Sequence, residues 1–343
     1  MKMKAAICSG IEEVEIQEID VPKITDTEVL IKTKNVGVCG SDLHLYRGTH
    51  PFRHAPAILG HEIAGEVVQV GSKVSKIKVG DRVTVEPQVG CNDCEMCKIG
   101  AVSLCNNKKV PGTPKWIGTF AEYFNAEEDI VYKLNDEVSY EKGALTEPLA
   151  VAVQVLHRAE TKKGSLVILG GGTIGQLVLA VAKKRGFGPI ILTDTVEFNR
   201  EFALNHGADY AFDPIKDNVE ENVKKITGKG ADLVVVAAGA NNILDQACGC
   251  ARKRGEVGIV AMITKEIPFY SYAIVFDELR MYGAMCYERQ SFREAVELIN
   301  DDTFKLDDYV TQVEDGIEKT KEGLDILSQK KENSVKVEIK ISK

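Results

Sequence analysis

Two groups of side chains in this sequence have the types and spacing that metal chemistry needs. The first is spread along the chain. Cys39 lies in GVCGSDLH (37–44), His61 and Glu62 in GHE (60–62), and Glu147 in LTEPLA (145–150). A thiolate, an imidazole and carboxylates form a ligand set that suits zinc. A Cys and a His 22 positions apart are weak evidence alone, because a buried Cys and an ordinary His are common. The motifs around them carry the weight. The second group is compact: Cys91, Cys94, Cys97 and Cys105 follow C-x2-C-x2-C-x7-C. Four thiolates so close can complete a tetrahedral sulfur shell around zinc or iron. Bacterial iron–sulfur runs end with a gap of about three and a proline. The longer last gap here fits zinc better. A shell closed by four protein ligands leaves no open position, so its expected role is structural.

A third set points to an anion. The apolar run LVILG (166–170) leads into GGGTIG, where Gly170, Gly172 and Gly175 supply G-x-G-x-x-G. Glycines there make a tight turn and let backbone N–H groups approach a pyrophosphate at a helix N-terminus. The helix is expected to begin near Thr173, so Thr173 and Ile174 join the glycines as cofactor-binding candidates. A second strand, PIILTD, ends in Asp194 at the distance expected of the ribose-binding acid. A carboxylate there accepts from ribose hydroxyls and repels a 2′-phosphate, which favours NAD over NADP. Arg200 is expected on the exposed face of the following helix.

These residues need elements to hold them. Residues 1–150 read as one β-rich domain. VEIQEID (14–20) alternates as a half-buried strand should, EVLIKTKNVGV (28–38) follows, and residues 64–87 are dense in Val and broken at Gly71, Gly80 and Asp81. YEKGALTEPLAVAVQVLHRA (140–159) has helical spacing and begins the passage to a second domain. From 151 to 285 strands and helices alternate, with a helix near 218–227 and another over 241–252, as in a doubly wound parallel α/β (Rossmann) domain. The ending NSVKVEIKI resembles the early strands, so residues from about 286 to 343 are expected to complete the first domain.

Composition narrows the classes. The chain has 343 residues, 27% of them charged, and a formal net charge of -8. That balance argues against a nucleic-acid partner, which requires a basic face. No apolar run is long enough for a membrane span. MKMKAAICSG has no extended apolar segment, so no signal peptide is expected and the cytoplasm is the expected location. Cys8, Cys248, Cys250 and Cys286 lack metal spacing and read as packing residues. His50, His54, His157 and His206 read as ordinary solvent or core histidines.

Taken together, GVCGSDLH, GHE, the four-cysteine run, GALTEPLAV and LGGGTIG resemble the zinc-dependent medium-chain alcohol dehydrogenases along nearly the whole chain. ALTEPLAV is most similar to the polyol, sorbitol and butanediol dehydrogenase branch. The resemblance implies a GroES-like catalytic domain with a structural zinc lobe, beside the Rossmann domain. It implies catalytic zinc on Cys39 and His61, with Glu62 as ligand or close neighbour and Glu147 bound directly or through water. It implies that Asp42 orients His61, that Ser41 takes the substrate proton and that His44 passes it on. The implied reaction interconverts a secondary alcohol or polyol and its ketone with NAD, in a homotetramer or homodimer. Sorbitol dehydrogenases usually carry Tyr where Leu45 stands and Arg about where Cys286 stands. The short stretches LHLY and GAMCY look closer to butanediol dehydrogenases. Threonine-dehydrogenase-like and sugar-phosphate polyol dehydrogenases remain alternatives, and a non-enzymatic protein binding NAD and zinc is the more distant one.

Overall fold

The computed structural model describes residues 1–329 and 333–342. The chain divides into two compact units: Met1–Glu147 with Glu288–Lys343, and Pro148–Tyr287.

In the first unit, the strand Glu28–Gly37 is the centre of the larger sheet. It pairs antiparallel with Glu62–Val70, Tyr123–Glu127 and the C-terminal strand Lys336–Lys340, which Val310–Asp315 joins in parallel. Arg82–Val85 and Val131–Lys133 extend the sheet beyond Glu62–Val70. Val29 and Ile31 pack in one core with Ile63, Val67, Val83 and Phe124. Val36 and Val38 serve a second core with Tyr46, Phe120, Leu324, Val337 and Ile339. Burying each such aliphatic side chain contributes roughly 1.5–3 kcal/mol. The strand therefore holds its position from both faces. The returning C-terminal segment also fixes the short helix Gly40–Tyr46. Tyr46 Oη lies 2.8 Å from Asp325 Oδ1, and Arg47 Nε donates to Ser328 Oγ at 3.0 Å.

Two expectations for this unit change. The strand Glu13–Asp20 is mostly exposed instead of half-buried, because it forms the edge of a small sheet with Lys2–Gly10 and Ala57–Ile58. The long helix over 140–159 is two helices, Tyr140–Ala144 and Thr146–Arg158. Pro148 has no N–H for the Ala144 carbonyl and its ring would crowd it, so it fits only the first turn of a new helix. Thr146 Oγ1 marks the break by donating to Gly143 O at 2.7 Å.

The second unit holds a six-stranded parallel sheet in the order Tyr210–Phe212, Ile190–Thr193, Leu166–Leu169, Ala231–Val236, Ala251–Ile259, Arg280–Gly283. Leu166–Leu169 is fully buried, as expected of a central parallel strand with both faces covered. Strand order reverses between it and Ala231–Val236, so its C-terminal end is a topological switch point, where such sheets bind ligands. The helix Val219–Thr227 is capped by Asn218, whose side chain accepts from Glu221 N, and closes on left-handed Gly228. The helix expected over 241–252 is shorter, Ile243–Cys250, since Ala251 already enters the next strand. No helix among the described residues is long and apolar enough to cross a membrane.

Candidate metal and dinucleotide sites

Sheet register assembles the first donor group. Gly37 pairs with Glu62 across the two central strands, so His61 and Glu62 at the start of one meet Cys39 just past the end of the other. Donor atoms of Cys39, His61 and Glu62 lie within 4.8 Å of one another. A Cβ at Gly37 would come within 1.9 Å of Glu62 Oε2 and 2.7 Å of Lys336 Cε, so a larger residue there would displace that buried pair.

Asp42 ties the two segments together. Its Oδ2 accepts from Cys39 N and its Oδ1 from Gly60 N, both at 3.2 Å. Burial alone would raise its carboxyl, but the charges of His61 and Arg53 and the Cys39 N–H bring it down to about 2. Oδ1 stands 3.5 Å from His61 Nδ1, too far for a good hydrogen bond, and Nδ1 is buried with no closer partner among the described residues. Burial would lower His61, yet Asp42 and Cys39 hold its pKa well above the ordinary value. A metal on Nε2 would take the place of a proton there and leave Nδ1–H facing the Asp42 carboxylate. Sulfur, nitrogen and oxygen donors at this separation fit zinc.

Two features were not legible in the sequence, or differ from it. Lys336, from the last strand, is buried, ion-paired to Glu62, and donates to Val38 O at 3.0 Å. Its alternation with Val335 and Val337 is the pattern of a strand with one polar face. Both faces are covered instead, so Lys336 and Glu338 point into protein. Glu338 is buried beside Asn35 Nδ2 at 3.2 Å, and desolvation raises its carboxyl far above the ordinary range. Second, Glu147 is buried on the first turn of Thr146–Arg158 and is not a member of the 4.8 Å group. A helix carries it, whereas paired strands bring the others together.

Ser41 and His44 are half-buried and lie three residues apart on the helix Gly40–Tyr46, hence on one face. His44 Nδ1 is 3.2 Å from Thr49 Oγ1. Burial and the Arg47 charge push its pKa below the ordinary value.

The four cysteines also come together, with Sγ atoms within 4.8 Å and Cys91 to Cys97 at 4.0 Å. They sit on turns and one short helix, Glu95–Lys98, with left-handed backbone at Asn92 and Gly100. Backbone N–H groups of Asp93 and Cys94 draw the Cys91 thiol well down. This is an S4 shell suited to structural zinc.

In the second unit each glycine of the turn has a separate reason. Gly170 has φ +109, and a Cβ would meet Ala238 Cβ at 2.5 Å; a Cβ on Gly175 would fall 1.8 Å from Gly170 O. A Cβ at Gly172 would meet nothing within 4 Å, which leaves room for a pyrophosphate at the N-terminus of the helix Thr173–Lys184. Asp194 follows the strand Ile190–Thr193; its Oδ2 accepts from Gly171 N and its Oδ1 from Val196 N, both at 2.8 Å. Arg200 is not on an exposed face. Its Nη1 donates to Asp194 O at 2.8 Å and stands 3.7 Å from Asp213 Oδ2, so it braces the acid-bearing turn.

A metal-binding β-rich unit and a nicotinamide-type α/β unit define a dehydrogenase. Residues 25–136 match the alcohol dehydrogenase GroES-like domain, and residues 173–301 match the zinc-binding dehydrogenase domain. The chain is 36% identical to a sorbitol dehydrogenase of Bacillus subtilis, over 98% of this chain and 96% of that one. Its fold matches an Escherichia coli oxidoreductase/dehydrogenase of unknown specificity (TM-score 0.94, 30% identity, all of both chains). It also matches the 2R,3R-butanediol dehydrogenase of Bacillus subtilis (TM-score 0.91, 32% identity, 99% of this chain and 100% of that). The chain belongs to the zinc-dependent medium-chain dehydrogenases, close to the sorbitol, polyol and butanediol enzymes. It is an oxidoreductase that uses zinc and NAD on a secondary alcohol or polyol.

Proposed function

We propose that the chain is an NAD-preferring polyol or diol dehydrogenase in which Cys39 and His61 hold the catalytic zinc and Glu62 lies beside it. The observation that carries this is the Cys39–His61–Glu62 group, tied together by Asp42. When bound, zinc supplies Lewis acidity towards the alcohol oxygen and the nicotinamide is the two-electron acceptor. With the cofactor bound, the nicotinamide would accept the hydride; Ser41 would take the alcohol's proton while giving its own to His44, which would release it to solvent. His44, with its depressed pKa, is neutral and ready to accept at neutral pH. Lys336 is ion-paired to Glu62, whose donor atom lies in the group with Cys39 and His61. Glu147, outside the donor group, would reach the metal through water.

Asp194 beside the glycine turn supports NAD over NADP by at least about tenfold in kcat/KM. An exposed apolar cluster of Tyr270, Tyr272, Val275 and Phe276, next in sequence to the edge strand Arg280–Gly283, supports self-association as a homodimer or homotetramer. The cytoplasm remains the proposed location.

The test is NADH formation from 2,3-butanediol, sorbitol, xylitol and threonine, with and without a chelator. Chelator-sensitive oxidation of a diol or polyol is expected. Oxidation of threonine alone would move the chain to the threonine enzymes, and activity unaffected by complete zinc removal would overturn the metal assignment.

A further inference from the structure

At the end of the second unit's sheet where the strands begin, two segments enclose a hollow. One runs from the end of the helix Thr146–Arg158 to the strand Leu166–Leu169, the other from the end of the helix Thr173–Lys184 to the strand Ile190–Thr193. The segments are pinned together: Gly188 N donates to Gly164 O and Leu166 N to Pro189 O, both at 2.9 Å. Between them lies a cavity of about 290 Å³, lined by Leu156, His157, Lys162, Arg185 and Phe187. Arg185 closes the 12-residue helix that the glycine turn opens. The cavity and the place for the pyrophosphate are therefore at opposite ends of that helix, which is about 18 Å long.

The lining has two characters. Leu156 and Phe187 are core residues and give it an apolar wall. Arg185, Lys162 and His157 supply the polar groups. Backbone bonds hold Arg185 N to Val181 O at 2.9 Å and Phe187 N to Ala182 O at 3.0 Å, so the wall is fixed. Lys162 Nζ donates to His157 O at 2.9 Å and to Ala159 O at 2.6 Å, which anchors the ammonium and leaves one N–H. No acid lines the cavity. The two segments carry Arg158, Lys162, Lys163, Lys183, Lys184 and Arg185 against one acid, Glu160, in a chain whose formal net charge is -8. Glu160 is drawn to Arg280, its Oε1 3.3 Å from Arg280 Nε.

Cations at helix C-termini offset the helix dipole, and that alone would account for Lys162 and Arg185. It does not account for the hollow, because ordinary packing leaves few voids larger than a water molecule. An apolar wall with a few fixed polar groups is the make-up of a small-molecule site, and the volume stands near the lower end of their range of roughly 300–1,000 Å³. We propose that this cavity is a second ligand site, for a small organic anion. Its carboxylate or phosphate would meet Arg185 and Lys162, and its apolar body would lie on Leu156 and Phe187. The site shares no residue with the metal or dinucleotide groups. A guanidinium fork binds either kind of oxyanion in the same way, so experiment separates them.

The test is calorimetric titration into zinc-loaded protein saturated with NAD, which keeps the probes from the glycine turn. The probes are phenylacetate, phenyl phosphate, the neutral phenylacetamide and inorganic phosphate. One organic anion per chain is expected to bind with Kd below about 1 mM, and the tighter of the two names the charged group. Phenylacetamide and inorganic phosphate should bind at least about tenfold more weakly, since each lacks one half of the match. Arg185→Gln should weaken the organic anion by at least about tenfold, and Arg185→Lys by less. No saturable binding of either organic anion overturns the proposal. So does equal binding of phenylacetamide or inorganic phosphate, or undiminished binding in Arg185→Gln. Melting curves accompany the titrations, and if Arg185→Gln does not fold, Lys162→Gln is judged by the same criterion.

Discussion

At the scale of single residues, the Glu62–Lys336 pair is an ion pair removed from water, with each side chain 2% exposed. Breaking such a pair by removing one partner costs about 3–5 kcal/mol, because the remaining charge stays buried. Lys336→Met should therefore lower stability by about that amount in metal-free protein. The loss should be smaller with zinc bound, since the metal offers Glu62 a second positive partner. Urea unfolding of both forms checks this, and an equal loss in the two would show that Glu62 does not respond to the metal. A second expectation concerns His44. Its pKa is depressed by burial and then by Arg47, so it becomes protonated, and unable to accept a proton, only below its usual range near 6.5. The acid limb of the kcat pH profile should lie below that value and move upward in Arg47→Gln. An acid limb unmoved by that change would remove His44 from the proton path.

At the scale of elements, the glycine turn separates folding from binding within one motif. Gly175→Ala places a methyl against Gly170 O, and overpacking of this kind costs roughly 1–3 kcal/mol. Gly172→Ala meets only open space, so the melting temperature should be nearly unchanged while NAD affinity drops by about tenfold or more as the methyl enters the pyrophosphate's place. Thermal melts paired with cofactor titration read both. Asp194→Ala should also erode the preference for NAD over NADP, measured as a ratio of kcat/KM values. The cysteine lobe behaves differently again. It has turns and one short helix but little core, so the metal supplies what apolar burial does not. Cys97→Ser should lower the melting temperature and release one zinc.

At the scale of the whole molecule, two donor groups predict two zinc ions per chain. Elemental analysis should find about two in wild type and about one in Cys97→Ser. A wild-type ratio near one, unchanged by that substitution, would remove the structural site. NAD binding should survive in the variant, because the glycine turn and Asp194 belong to the other unit. The exposed Tyr270, Tyr272 and Phe276 stack predicts that Phe276→Glu weakens self-association, which sedimentation velocity would report as a shift to smaller species.

What was legible in the sequence follows from short-range physics. Ligand types at short spacing, as in Cys91 to Cys105, could be read directly, because few residues of chain separate the donors. So could the glycine turn, whose roles are set by backbone sterics within one strand–helix connection. Even Cys39 with His61 could be read, since each sits in a local motif. Only the tertiary structure decided which buried charges meet. Lys336 lies 274 positions from Glu62, and no local pattern separates an inward lysine from an outward one in a strand that alternates. Glu147, which the resemblance gave as bound directly or through water, is buried on the first turn of its helix and is not among the donors within 4.8 Å of one another.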